Sequence, residues 1–294
     1  MSDIKRQLIL HCGPMKTGST AIQDVLHSCR KALRSRGISA HHILARGLHQ
    51  QMDQVLTQEQ ETDHRVVLLS SEFFGQVPPH SIRKILERFP AERHAIFVSR
   101  PLREIYPSLY LQNLKGSSRR ITLFRTFLKN QLLLDRCPEE GLGGQIMNAP
   151  VLDSRMRSAG CNTHWLRYDR QALLQRFFQM LHTITDIDLT GLNQVLVTPA
   201  MGLSPRRSLR MELAGVARLI NQLNRRGFLA DHLREKLLVL CLDLSDQLRR
   251  IYPQQSTLSA LDRHRCDQLD LEINQAFFDC LEQAGSVHSG FKCR

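Results

Sequence analysis

The chain has 294 residues, 42% hydrophobic and 23% charged, which excludes a disordered or fibrous polymer and suffices for one large α/β domain. Forty Lys and Arg against 28 Asp and Glu leave a formal charge of +12, which favours an anionic partner (nucleotide, nucleic acid, acidic glycan or anionic membrane) without choosing among them. No window approaches the roughly 20 apolar residues that span a bilayer, and Leu8–Leu10 is too short for a signal-peptide core, so a cytoplasmic protein is expected.

In chain order, Leu8 to Cys12 is an apolar run stopped by Gly13-Pro14, the mark of a buried strand. Thr20 to Leu33 carries Ile22, Val25, Leu26 and Leu33 at helical spacing. Gly37-Ile38 restarts the chain, and residues 40 to 64, polar and His-rich, predict no definite element. Val66 to Leu69 is the second clear strand, Ile82 to Phe89 a short helix, and Ala95 to Val98 the third strand, broken by Pro101. Arg103 to Leu134 predicts one or two helices, Cys137 to Asn148 a loop, and Thr163 to Tyr168 a further strand. Arg206 to Asn224 and Leu229 to Ile251 are long amphipathic stretches.

This rhythm predicts a single α/β domain over 1–294, a central parallel sheet with helices on both faces and a helical C-terminal part. The nucleotide-binding core falls in 1–135, and a mostly helical remainder runs from about 150 to 294. The eight cysteines form no CxxC pair and no zinc-type spacing, so they read as reduced thiols, and no metal is called for.

Ligands of such sheets bind beyond the carboxyl ends of the strands, and three informative segments lie there. The first is Gly13-Pro14-Met15-Lys16-Thr17-Gly18-Ser19-Thr20, between a strand and a helix. Glycines let backbone N–H groups converge, the helix N-terminus favours an anion, and Lys16 adds a full charge. Thr17, Ser19 and Thr20 add hydroxyls; the plainer reading is a helix cap with an exposed lysine. A Walker A loop would carry Lys after its second glycine, whereas Lys16 precedes Gly18.

The string GPMKTGST, continued by Ala21-Ile22-Gln23, resembles the 5′-phosphosulfate loop of the sulfotransferases that use 3′-phosphoadenosine-5′-phosphosulfate (PAPS), bacterial members above all. The resemblance implies that the loop amides, Lys16 and the hydroxyls hold the 5′-phosphate and the sulfuryl group. The second segment, Arg100 after the third strand and Ser108 eight positions on, resembles that family's 3′-phosphate site. Arg supplies a planar, always-charged fork suited to phosphate. Weaker likenesses are Thr163 to Asp169 and Gly202-Leu203-Ser204-Pro205 ahead of a helix running to Leu219-Ile220-Asn221; the family's third basic 3′-phosphate segment has no match.

The third segment supplies a base. Glu72 follows the second strand, flanked by Phe73 and Phe74, which would desolvate it and raise its pKa; the alternatives are a cap or a partner for Lys16. His49, in the group His41, His42 and His49, is the competing base, and His11 reads as a satisfied core residue. Two other functions stay open: a P-loop-type kinase, against which the misplaced Lys16 counts, and a basic nucleic-acid-binding protein, suggested by Arg206-Arg207, Arg225-Arg226 and Arg249-Arg250 but lacking a matching motif. The acceptor expected for a sulfotransferase is a carbohydrate or another small metabolite, with no specific nucleic acid and no membrane span.

Overall fold

The computed structural model describes residues 6–115, 122–138, 145–189, 192, 209–251 and 258–283. The chain is α/β, with two compact units: residues 1–100, 145–202 and 272–294 form one, and residues 101–144 and 203–271 the other.

The first unit holds the sheet. Its strands are β1 (Gln7–His11), β2 (Ile38–His42), β3 (Val66–Ser70), β4 (Glu92–Ser99) and β5 (Asn162–Arg167). They pair in the order β2-β3-β1-β4-β5, every pair parallel. Between strands run α1 (Ser19–Ser28), α2 (Arg30–Arg34), α3 (Leu48–Gln60) and α4 (Pro79–Leu86). The chain leaves β1 toward β2 on one side and later adds β4 on the other, so β1 is the switch point of the sheet, where a ligand crevice is expected.

Strand period 2 divides the buried residues between two faces. Ile9, Leu68, Ile96 and Val98 pack with Ile22 and Leu26 of α1 and with Phe177 and Leu181 of α8 (Leu173–Thr185). The alternate residues include Phe97 of β4, stacked on Trp165 of β5 with centroids 4.6 Å apart. Phe97 and Leu152 of α7 (Ala149–Ser158) both close on Gly75, where a Cβ would lie 3.2 and 3.0 Å from them. Both faces of the sheet are therefore covered, as continuous apolar strands require.

Several elements differ from expectation. The helix predicted over Thr20 to Leu33 is two helices, broken at Cys29, whose φ of −88° and ψ of 4° leave the helical region. The stretch 40–64 contains both the end of β2 and all of α3. Its pattern was masked because β2 is an edge strand whose buried side carries polar groups: Ser39 Oγ donates to Glu59 Oε1 at 2.7 Å, and His41 Nε2 lies 2.8 Å from the same oxygen. Helix α7 had no sequence-based counterpart; Asn148 caps it, its side chain accepting from Val151 N at 3.0 Å.

The second unit is helical: α5 (Leu102–Lys115), α6 (Phe124–Arg136), α9 (Ala214–Arg225), α10 (Asp231–Ile251) and α11 (Ala260–Leu269). Buried Asn221, within α9, donates to Leu114 O of α5 at 2.8 Å and accepts from Arg234 Nε of α10 at 2.8 Å. Tyr106 of α5 donates to Asp135 of α6 at 2.6 Å. The segment Gly202 to Pro205 and the pair Arg206-Arg207 lie outside the described residues. Among the described residues no helix is long and apolar enough to cross a membrane. The described cysteines are free thiols.

Candidate functional site: the loop after the first strand

The loop from Gly13 to Gly18 turns directly out of β1 into α1. Lys16 has φ of 70° and Gly18, the residue before α1, φ of 90°, two left-handed residues separated only by Thr17. A lysine at positive φ is uncommon and costs energy, so the surroundings must hold it. Arg100, just past β4, does so: its Nη1 donates to the Lys16 carbonyl at 2.9 Å. The guanidinium lies over the Tyr168 ring, 4.7 Å from its centroid, and Tyr168 N is tied to Ser99 O at 2.7 Å. Tyr168 and Leu173 also pack against one side of Gly18, where a Cβ would sit 2.3 Å from Leu173 Cδ2.

Inside the loop, Thr17 and Ser19 are buried, and both hydroxyls donate to Pro14 O, at 2.7 and 3.3 Å. They brace the turn, leaving the half-exposed Met15, Lys16, Gly18 and Thr20 on its outer surface. Gly13 is required by close approach: a Cβ there would lie 2.8 Å from Ser19 Oγ and 3.0 Å from His11 Nε2.

His11 is a member of this site that sequence reasoning assigned wholly to the core. Its Nδ1 lies 2.8 Å from Ser70 Oγ at the end of β3, while buried Nε2 has no hydrogen-bond partner among the described residues. Burial, with a smaller push from His42, lowers its pKa to about 3, so the ring is neutral at pH 7. The only sequence signal was its position at the end of β1; Ser70 is 59 residues away. Tyr168 was similarly hidden, read only as the last residue of the strand predicted over Thr163 to Tyr168.

Glu72 stands, half-buried, in the turn between β3 and the short 3₁₀ helix Phe74–Gln76. Of its flanking aromatics, Phe74 is fully buried and Phe73 half-buried. His49 is exposed in the first turn of α3. It lines, with Leu48, Phe73, Gln76 and Val77, a cavity of about 510 Å³, so both candidate bases belong to segments bordering one hollow. Ser108 is half-buried on α5 of the second unit, and its pairing with Arg100 rests on sequence spacing.

The assembled loop can do one thing chemically: offer backbone N–H groups at a left-handed turn and helix N-terminus, beside a lysine, to a tetrahedral anion. Set against family models, curated proteins and solved structures, the chain matches none of them.

Proposed function

We propose that the chain transfers a sulfuryl group from PAPS to a hydroxyl or amine of a carbohydrate or other small metabolite. The observation that carries this reading is the contact of Arg100 with the Lys16 carbonyl, because two segments that separately resemble PAPS-binding motifs, 84 residues apart, touch there. A nucleotide bearing phosphate at both 5′ and 3′ positions needs two cationic anchors near each other, and Lys16 after β1 and Arg100 after the neighbouring β4 have that character.

The residues present fit such a co-substrate. Lys16, Gly18, Thr20 and the amide groups of the loop would hold the 5′-phosphosulfate end, and Arg100 the 3′-phosphate, a role that the resemblance also gives to Ser108. The hydroxyls of Thr17 and Ser19 donate to Pro14 O and brace the loop, so Gly13, Pro14, Thr17 and Ser19 would contribute to that end through the loop's shape and its backbone amides. PAPS supplies the sulfuryl group and leaves as 3′-phosphoadenosine 5′-phosphate.

Glu72 takes the proton of the acceptor hydroxyl as that oxygen bonds to sulfur. Lys16 and the loop amides meet the electron pair that leaves on the 5′-phosphate oxygen, a charge larger in the transition state than in the ground state. His49 is the second candidate base. The free cysteines favour a reducing compartment, hence the cytoplasm.

Calorimetry tests the reading. 3′-Phosphoadenosine 5′-phosphate should bind at least tenfold more tightly than AMP or ADP. Equal affinity for all three, or a preference for ATP with Mg²⁺, would sink it in favour of a kinase.

A further inference from the structure

A second cavity, of about 380 Å³, opens at the carboxyl end of the edge strand β2, and nothing in the proposed transfer uses it. Its size is that of a small-ligand site. Two helical rows line it. Gln23 and His27, one turn apart on α1, and Arg30, at the start of α2, line one side of it. Gln54 and Gln58 stand one turn apart on α3. His41 and His42, at the end of β2, form the floor between them.

The chemistry of this lining is specific. The side-chain amides of Gln23, Gln54 and Gln58 make no hydrogen bond to another described residue, so each keeps both donor and acceptor capacity. Gln51 differs, being spent on Leu44 N at 3.1 Å and Arg46 O at 2.6 Å, where it holds the loop after β2. Arg30 forms no ion pair with a described residue. Among the described side chains lining the cavity there is no carboxylate and no phenyl or indole ring. A stacking ligand thus has no platform, and a cationic one has no counter-charge.

The floor is prearranged from behind. Buried Glu59 accepts from Ser39 at 2.7 Å and Thr62 at 2.8 Å, and its two oxygens hold His41 and His64 at 2.8 and 2.9 Å. His41 is therefore fixed through Nε2, and Nδ1 has no partner among the described residues. Ser70, which borders the same cavity, is fixed by His11. A rigid floor under two rows of amides lowers the ordering cost of binding a hydroxyl-rich ligand.

We propose that this cavity binds an acidic sugar: hydroxyls to the glutamine amides and His41, carboxylate or sulfate to Arg30 with His27 beside it. The site is separate from the groups used in the sulfuryl-transfer reading: Gln23 continues the loop's sequence string but lies on α1 beyond the loop, and no other lining residue belongs to that string, to Glu72 or to Arg100. An acidic sugar can come from two sources, a free sugar acid or a unit within an acidic glycan chain.

The test is calorimetric titration of the full chain with glucuronate, an unsulfated chondroitin tetrasaccharide and neutral chitotetraose, each repeated with saturating 3′-phosphoadenosine 5′-phosphate. The tetrasaccharide or glucuronate should bind at least tenfold more tightly than chitotetraose, and the nucleotide should not displace it. Tighter binding of the tetrasaccharide than of glucuronate identifies a chain as the source, and equal binding a free acid. Arg30→Glu and the double variant Gln54→Ala/Gln58→Ala, at exposed positions, should each weaken binding at least tenfold while leaving the melting temperature unchanged. Displacement by the nucleotide, equal binding of chitotetraose, absence of saturable binding, or variants that bind like the parent would each overturn the proposal. Nucleotide binding in the same samples reports separately on the transfer reading.

Discussion

The guanidinium of Arg100 donates to the carbonyl of Lys16 at 2.9 Å, joining the end of β4 to the loop after β1. The bond holds Lys16 at its positive φ while Tyr168 supports the other face of the guanidinium. Arg100 thus has two roles that mutation can separate, shaping the loop and holding a phosphate. Arg100→Ala should weaken binding of 3′-phosphoadenosine 5′-phosphate by about 2–4 kcal/mol, the scale of losing one partner of a desolvated charge pair. Affinity for AMP should fall less. Loss of equal size for both nucleotides would mean that Arg100 acts only through the loop.

Lys16→Ala should lower turnover more than nucleotide affinity, since its charge matters most as the leaving phosphate gains charge. Single-turnover rates beside calorimetric Kd values measure the split. A variant with full turnover would remove Lys16 from the leaving-group role.

At Gly18, a side chain meets both a positive φ of 90° and Leu173 Cδ2 at 2.3 Å. Gly18→Ala should cost about 1–3 kcal/mol in urea unfolding, the usual price of a strained backbone position. The clash part should be relieved in a Leu173→Ala background, where the added cost of Gly18→Ala shrinks while the backbone part stays. An undiminished cost in that background would assign the whole effect to φ.

His11 has a folded pKa of about 3, below its ordinary 6.5, because burial disfavours the charged ring. The unfolded chain therefore binds the proton more readily, and stability that is complete above pH 6.5 is lost as the pH falls toward 3. This one group should cost about 2 kcal/mol by pH 5, from 1.36 kcal/mol per pH unit. Urea midpoints measured from pH 7.5 to 5 should fall more steeply for the parent than for His11→Gln. Parallel profiles would show that His11 does not carry the dependence.

Glu72→Gln keeps size and polarity but removes the base. Turnover should drop by ~10²–10⁴-fold, with nucleotide affinity and Tm close to the parent, and the acid limb of the pH–rate profile should disappear. Normal turnover with early melting would make Glu72 a structural residue and transfer the test to His49, which borders the same hollow as Phe73.

The parts of the fold legible in the sequence are those whose residues answer to one local period. Strands β1, β3 and β4 are buried on both faces and read as unbroken apolar runs, and α5, α6 and α10 show helical spacing. Strand β2 and helix α3 escaped because Ser39 and His41 are polar where a strand pattern wants apolar residues, and their compensation, Glu59, lies 18–20 residues on. Gly47 before α3 supplies no side-chain cap that would mark the start.

Chemistry that depends on chain-local geometry was present in the sequence: a glycine-bounded loop opening a helix, a lysine inside it, an arginine at a strand end. Which of these groups touch was settled only by the strand order β2-β3-β1-β4-β5. That order sets β3 and β4 on either side of β1, and so delivers Ser70 to His11 and Arg100 to the loop. The inward turn of the Thr17 and Ser19 hydroxyls is a different case, a local one: both donate to Pro14 O three and five residues back, where the composition of the loop had suggested that they face a ligand. The physical reason is range: propensity and turn chemistry act over a few residues, whereas the partner of a buried polar group is whichever strand end the parallel crossovers bring beside it.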